Sequence, residues 1–216
     1  MKYVDLSQKI TTQMAVFPGD PGVSLEPMTS FEKDGCLVTE LRFGSHTGTH
    51  LDAPLHFMPN GDPVDEIPLE SLSGEAICVR ARLYYSGGEE HPVIELDESE
   101  RAKIARNDRV LIYTGWEREA ETSAYFGSYP VFSKSVVDYL IKKRIRMLGV
   151  DLPTIVIKGE DISYMHTELL SRGIIPVEGL VNVSLIAGRR FFFSAVPLNI
   201  GGIDGSPVRA YAMFKR

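Results

Sequence analysis

Residues 44–57 read GSHTGTHLDAPLHF. Three of the chain's five histidines, His46, His50 and His56, fall in this stretch, with the carboxylate of Asp52 among them. A single histidine in a strand ordinarily becomes a half-buried, hydrogen-bonded residue. Several imidazoles and a carboxylate aimed at one place need a metal or a proton-transfer role to justify their desolvation. Two nitrogens and an oxygen from His46, His50 and Asp52 suit a divalent transition metal that keeps an open position for water. His56 lies four residues beyond Asp52. An imidazole with an unperturbed pKa of about 6.5 suits both the uptake and the return of a proton. The helical H-E-x-x-H signal of zinc proteases is absent. So is the tight H-x-H-x-D-H run, which uses similar ligands at other spacing.

The backbone must bring these groups together. A helix would place His46 and His50 on one face, but Gly44, Gly48 and Pro54 interrupt it, and Thr47 and Thr49 are β-branched. The reading is an irregular loop leading into extended chain. There His50 and Asp52 point to the same side, and Gly48 lets the backbone fold so that His46 joins them.

The rest of the chain reads as many short strands and few helices. KYVDLS, GVSLEPMTSF, CLVTELRF and EAICVRARLYY read as strands, with EKDG and SGGEEHP as polar turns. DRVLIYT and IRMLGVD are apolar and uninterrupted, as buried central strands are. IIPVEGLVNVSLI, RRFFFSAVPL and SPVRAYAMFKR add further β signal. Asp97 can cap a helix over ESERAKIAR, and Ser133 one over KSVVDYLIKKR. A third helix runs through MHTELLSR to Gly173, with His166 at its start. The 216 residues show no composition break and read as one α/β domain, 1–216, with a mixed sheet.

Composition narrows the function. The chain is 44% hydrophobic and 24% charged with a net charge of −6, which disfavours nucleic acid as a partner. The Lys142, Lys143, Arg144, Arg146 cluster reads as a solvated helix end. No run approaches the roughly 20 apolar residues that span a bilayer, and the N-terminus has no apolar signal segment. A cytoplasmic protein is expected, with Cys36 and Cys78 as buried free thiols.

The run H-T-G-T-H-x-D-x-P-x-H-F, His46 to Phe57, resembles the signature of the cyclase family, which includes metal-dependent bacterial kynurenine formamidases and isatin hydrolases. FPGDP at Phe17 to Pro21, Thr114-Gly115-Trp116, Gly149-Val150-Asp151, His166 with Leu169-Leu170, and Glu178-Gly179-Leu180 resemble further family segments. The resemblance implies the swivelling β/β/α fold, assembled as homodimers or homotetramers. It implies that His46, His50 and Asp52 hold a first metal, and that Asp52 bridges to a second held by His166 and Glu178. It also implies His56 as general acid/base and Phe17 in the substrate pocket. Composition and spacing alone nominate neither His166 nor Glu178.

The implied activity is hydrolysis of a small amide or cyclic amide by a metal-bound hydroxide, arylformamidase-like, as in tryptophan catabolism. Zinc is the leading ion and manganese the second, as one or two ions. Trp116 and Tyr113 are compatible with an aromatic substrate. Where formamidases continue the G-[IV]-D strand into P-S-x-D-P, this chain reads LPTIVIKGED, with Ile157 and Lys158 at the Asp-Pro positions. A lactone substrate, a metal-dependent lyase or cyclase, and a non-enzymatic metal-binding protein are the other readings.

Overall fold

The central strands are apolar at consecutive positions, and the computed structural model shows why. It describes residues 1–85 and 90–214. Along β5 (Ser73–Arg80), Ala76 and Cys78 face one buried cluster while Ile77 and Val79 face another. The same alternation holds in β8 (Arg109–Tyr113), with Leu111 against Val110 and Ile112. In β10 (Met147–Val150) it sets Met147 against Leu148 and Val150. Successive side chains point to opposite faces, so a sheet with a core on each side needs hydrophobic residues at both.

The strands in chain order are β1 (Lys2–Asp5), β2 (Ser24–Pro27), β3 (Thr39–Arg42), β4 (His50–Asp52), β5, β6 (Arg82–Tyr84), β7 (Val93–Glu95), β8, β9 (Val131–Phe132) and β10. Then follow β11 (Ile175–Glu178), β12 (Arg190–Ser194), β13 (Gly205–Pro207) and β14 (Tyr211–Phe214). The main sheet runs β1-β14-β12-β5-β8-β10-β11-β4-β13. Strands β5, β8, β10 and β11 are parallel. Antiparallel β12, β14 and β1 flank them on one side, and β4 and β13 on the other.

Two helices cover one face. The α-helical segments are α1 (Phe31–Asp34), α2 (Leu69–Leu72), α3 (Glu98–Arg101), α4 (Lys134–Lys143) and α5 (Ile162–Leu170). Helix α4 begins as its sequence predicts, with Ser133 Oγ accepting from the Val136 amide. It buries Val136, Val137 and Leu140. Helix α5 begins earlier than expected. The Asp161 side chain accepts from the Ser163 amide at 2.8 Å, which starts the helix at Ile162. His166 therefore lies in its second turn, not at its start.

Other expectations are corrected. The EKDG turn belongs to α1, closed by Gly35 at φ 68°. Cys36 is exposed; only Cys78 is buried. Of the SGGEEHP turn, residues 86–89 lie outside the described residues, as do 215–216 at the chain end. No helix among the described residues is long and apolar enough to cross a membrane.

Leu111 lies fully buried in β8, between β5 and β10. Leu111→Ala is expected to cost about 2–5 kcal/mol through the cavity it leaves. Urea unfolding of both proteins measures the difference.

Candidate metal centre and pocket

The site forms where β4 meets β11. His50 in β4 stands directly across from Glu178 in β11. Asp52, two residues on, points to the same side of β4 as His50, as its sequence predicts. Gly48 has φ 67°, in the left-handed region that favours glycine, just before the strand begins. The buried Thr49 hydroxyl donates to the Gly179 carbonyl at 2.6 Å, locking the start of β4 to the end of β11. His46, ahead of the turn, reaches back so that its Nδ1 lies 2.9 Å from Asp52 Oδ1. That approach needs Gly205, which pairs with Asp52 on β13. A Cβ there would stand 2.5 Å from the His46 ring.

His166 enters from α5. Its Nε2 lies 3.2 Å from Glu178 Oε1 and 3.5 Å from Asp52 Oδ2. His50 Nε2 lies 3.5 Å from both Asp52 Oδ1 and Glu178 Oε2. All five residues nominated as metal ligands thus converge. Each of the groups His46, Asp52, His56 and His50, Asp52, Glu178 has ligand atoms within 4.8 Å of one another.

The hydrogen bonds define which nitrogen faces the centre. His50 Nδ1 lies 2.9 Å from the Gly48 carbonyl, and His166 Nδ1 lies 2.7 Å from the Ile162 carbonyl. A carbonyl only accepts, so both Nδ1 atoms carry the proton. Their Nε2 atoms then point at carboxylate oxygens, across gaps longer than the 2.7–2.9 Å or so of a charge-assisted hydrogen bond. Asp52 is 1% exposed, and its Oδ2 makes no hydrogen bond. Imidazole nitrogens pinned from behind, an orphaned buried carboxylate oxygen and a second carboxylate form a donor set that fits a divalent cation.

Without a cation, protons balance the charge. Burial works against a charged His46, but hydrogen bonds to Asp52 and Asp204 outweigh it and raise the imidazole to about 9. His50 and His166 are raised in the same way: burial opposes their charge, and Glu178 and Asp52 overcome it. Burial would raise Asp52, yet the surrounding imidazoles hold it below the usual carboxylate range. His56 goes the other way. Burial and the neighbouring His46 lower its pKa, favouring the neutral ring.

His56 sits in a one-turn 3-10 segment, Pro54–His56, directly after Asp52. Its ring stacks on His46 at 3.9 Å between centroids. Both rings line a pocket of about 240 Å³. Phe17 lies on the wall, edge-on to Phe126 at 5.7 Å. Tyr125 lines it too, and its buried hydroxyl makes no hydrogen bond. Trp116 and Tyr113 instead pack against the two cores and are absent from the lining. His91 bonds the Tyr129 carbonyl at 2.8 Å.

Sequence reasoning missed Asp204, Tyr125 and Phe126. Asp204 Oδ2 lies 3.0 Å from His46 Nε2 and 3.2 Å from His56 Nδ1. Nothing in its local sequence marks it out, since its partners lie some 150 residues away. Of LPTIVIKGED, Pro153 and Thr154 line the pocket and the Ile155 amide donates to Glu178 Oε1 at 3.0 Å. Ile157 is buried in the helix-covered core, and neither it nor Lys158 lines the pocket. The Thr114-Gly115 and Asp151 segments also meet. Asp151 is fully buried and accepts the Gly115 amide at 2.8 Å and the Thr114 hydroxyl at 2.7 Å, tying β8 to β10. Burial pushes its carboxyl up to about 6, against these donors.

Known proteins share both the sequence and the fold. A kynurenine formamidase of Bacillus thuringiensis subsp. konkukian is 30% identical over 210 residues, 97% of this chain and 96% of its own. An uncharacterised protein of Methanocaldococcus jannaschii is 32% identical over 218 residues, 99% of this chain and 100% of its own. The solved structure of isatin hydrolase A from Labrenzia aggregata, bound to benzyl benzoate, superposes with a TM-score of 0.83 at 24% identity. That match covers 100% of this chain and 94% of the other, and so shows the same fold. Residues 4–155, which hold the whole GSHTGTHLDAPLHF stretch, match the family model Cyclase, described as "Putative cyclase". With that match spanning the histidine loop and most of the parallel sheet, the chain belongs to the cyclase family.

Proposed function

We propose that this chain is a cytoplasmic, metal-dependent hydrolase of a small amide or cyclic amide, with an aryl formamide such as N-formylkynurenine as its substrate. The observation that carries the reading is the orphaned, buried Asp52 Oδ2, facing imidazole nitrogens whose other nitrogens are tied to carbonyls. The 30% identity to a kynurenine formamidase over nearly the whole chain supports the amide class. The aromatic wall of Phe17, Phe126 and Tyr125 supports a flat ring.

In this reading His46, His50 and Asp52 hold one ion, and Asp52, His166 and Glu178 hold a second. Zinc is favoured and manganese is the next choice. A divalent ion, when bound, supplies a water acidified towards neutral pH and a polarised carbonyl. His56, whose neutral ring burial favours, takes the proton from the attacking water. It returns that proton to the leaving nitrogen. Phe17 and Phe126 flank the ring of the substrate. The unpaired Tyr125 hydroxyl donates to a substrate oxygen, which removes the cost of leaving it buried and unmet.

The same reading includes a homodimer or homotetramer. The β2–β3 ribbon has only two strands, and every β3 residue is exposed. Phe31, Leu37, Val38 and Leu41 around it are more than half exposed. A two-stranded ribbon is marginal in water on its own, and a second copy would cover this one.

Metal uptake is expected to release protons, because His46, His50 and His166 must give theirs up. Affinity then climbs as pH rises towards 9, the value to which His46 is raised. Binding titrations in weakly buffered solution read both quantities, and a pH-independent affinity contradicts the ligand set. His50→Ala should lose metal and activity together. His56→Ala should keep its metal by elemental analysis and lose about 10²–10⁴-fold in kcat. Tested on N-formylkynurenine, isatin and simple lactones, a metal-loaded enzyme that hydrolyses none of them defeats the hydrolase reading. Leu41→Asp should shift the oligomer towards monomer in light scattering.

A further inference from the structure

A general base works only if its free lone pair faces the reacting atoms, and an isolated imidazole does not hold one tautomer. In this chain the second nitrogen of His56 is held from behind. Asp204 Oδ2 lies 3.2 Å from His56 Nδ1. The oxygens of an ionised carboxylate only accept. The His56 Nδ1 must therefore be the protonated nitrogen, and the lone pair lies on Nε2. Nε2 makes no hydrogen bond to any described residue.

The carboxylate is itself fixed. Asp204 Oδ1 accepts the Ser45 hydroxyl at 3.0 Å, and the Asp204 carbonyl accepts the Ala53 amide at 2.9 Å. Ala53 follows Asp52 directly, so the strand that carries the buried carboxylate also sets the distance to Asp204. The His56 ring stacks on His46 at 3.9 Å and meets Phe57 edge-on at 4.3 Å. Among the described residues, Asp204 is the one that meets the ring nitrogen Nδ1.

We propose that Asp204 is the positioning residue of His56, holding it as the Nδ1–H tautomer with Nε2 turned to the substrate. The inference rests on the reading of His56 as the proton carrier. Asp204 also faces His46 Nε2 at 3.0 Å, so support of a metal ligand is the competing role, and the experiment must separate the two.

Asp204→Ala, made in the full metal-loaded chain, should lower kcat for the aryl formamide by about 10²-fold or more. KM should change by less than about threefold, and metal content should stay at the wild-type level. In the His56→Ala background the same substitution should cost nothing further, because groups that act as one unit are not additive. Nitrogen NMR of the His56 ring should report Nδ1–H in the wild type and a shift towards Nε2–H in the variant. Asp204→Asn, of the same size, gives the same direction of change if the alanine variant folds poorly. A wild-type kcat, an additive loss in the double variant, metal lost in step with activity, or an unchanged tautomer overturns the proposal. If the wild-type enzyme hydrolyses none of the substrates, the reading of the function fails, and the NMR result still decides the role of Asp204.

Discussion

Asp52 cannot stay charged at 1% exposure unless positive groups surround it. Much of the local architecture serves that requirement. The residue sits on β4, flanked on one side by Glu178 of β11 and on the other by Gly205 of β13. Imidazoles reach it from the loop before the strand, from the strand itself and from α5. Each comes from a different element, so the charge is balanced only when the sheet, the loop and the helix are all in place. The site and the fold are in this sense one structure.

The imidazoles are aimed by hydrogen bonds that have nothing to do with the centre itself. His50 is tied to the Gly48 carbonyl and His166 to the Ile162 carbonyl, each on its outer nitrogen. These bonds keep a proton on each outer nitrogen, so the inward nitrogen is the one that must give up its proton to a cation. Glu178 is held in turn by the Ile155 amide. The arrangement resembles a charged pair spread over several groups, each with one bond outward to the scaffold and one direction inward. That lowers the cost of rearrangement on binding a cation, because few torsions remain to be set.

Much of the histidine loop could be read from the chain. The glycines and threonines excluded a helix, period-two spacing put His50 and Asp52 on one side, and the uninterrupted runs around Leu111 and Met147 announced strands buried on both faces. Boundaries were less legible. Helix α5 starts at Ile162 because an aspartate side chain accepts from a nearby amide, a local capping signal that the apolar periodicity does not carry. The sequence departs from the formamidase pattern at Ile157 and Lys158. In three dimensions Pro153 and Thr154 lie in a bend that lines the pocket, and Ile157 is buried in the helix-covered core, bridged to Phe132.

Local sequence carries the residue types of the histidine loop, the order of His50 and Asp52 along β4 and the two-sided burial of the central sheet. These follow from spacing and side-chain chemistry within a few residues. Long-range packing sets Glu178 across from His50, brings Asp204 to His46 and His56, and puts Tyr125 and Phe126, not Trp116, on the pocket wall. Each of those depends on strand register or loop packing between segments far apart in the chain. A register shift of one residue would turn a side chain to the opposite face, and no local pattern encodes the choice.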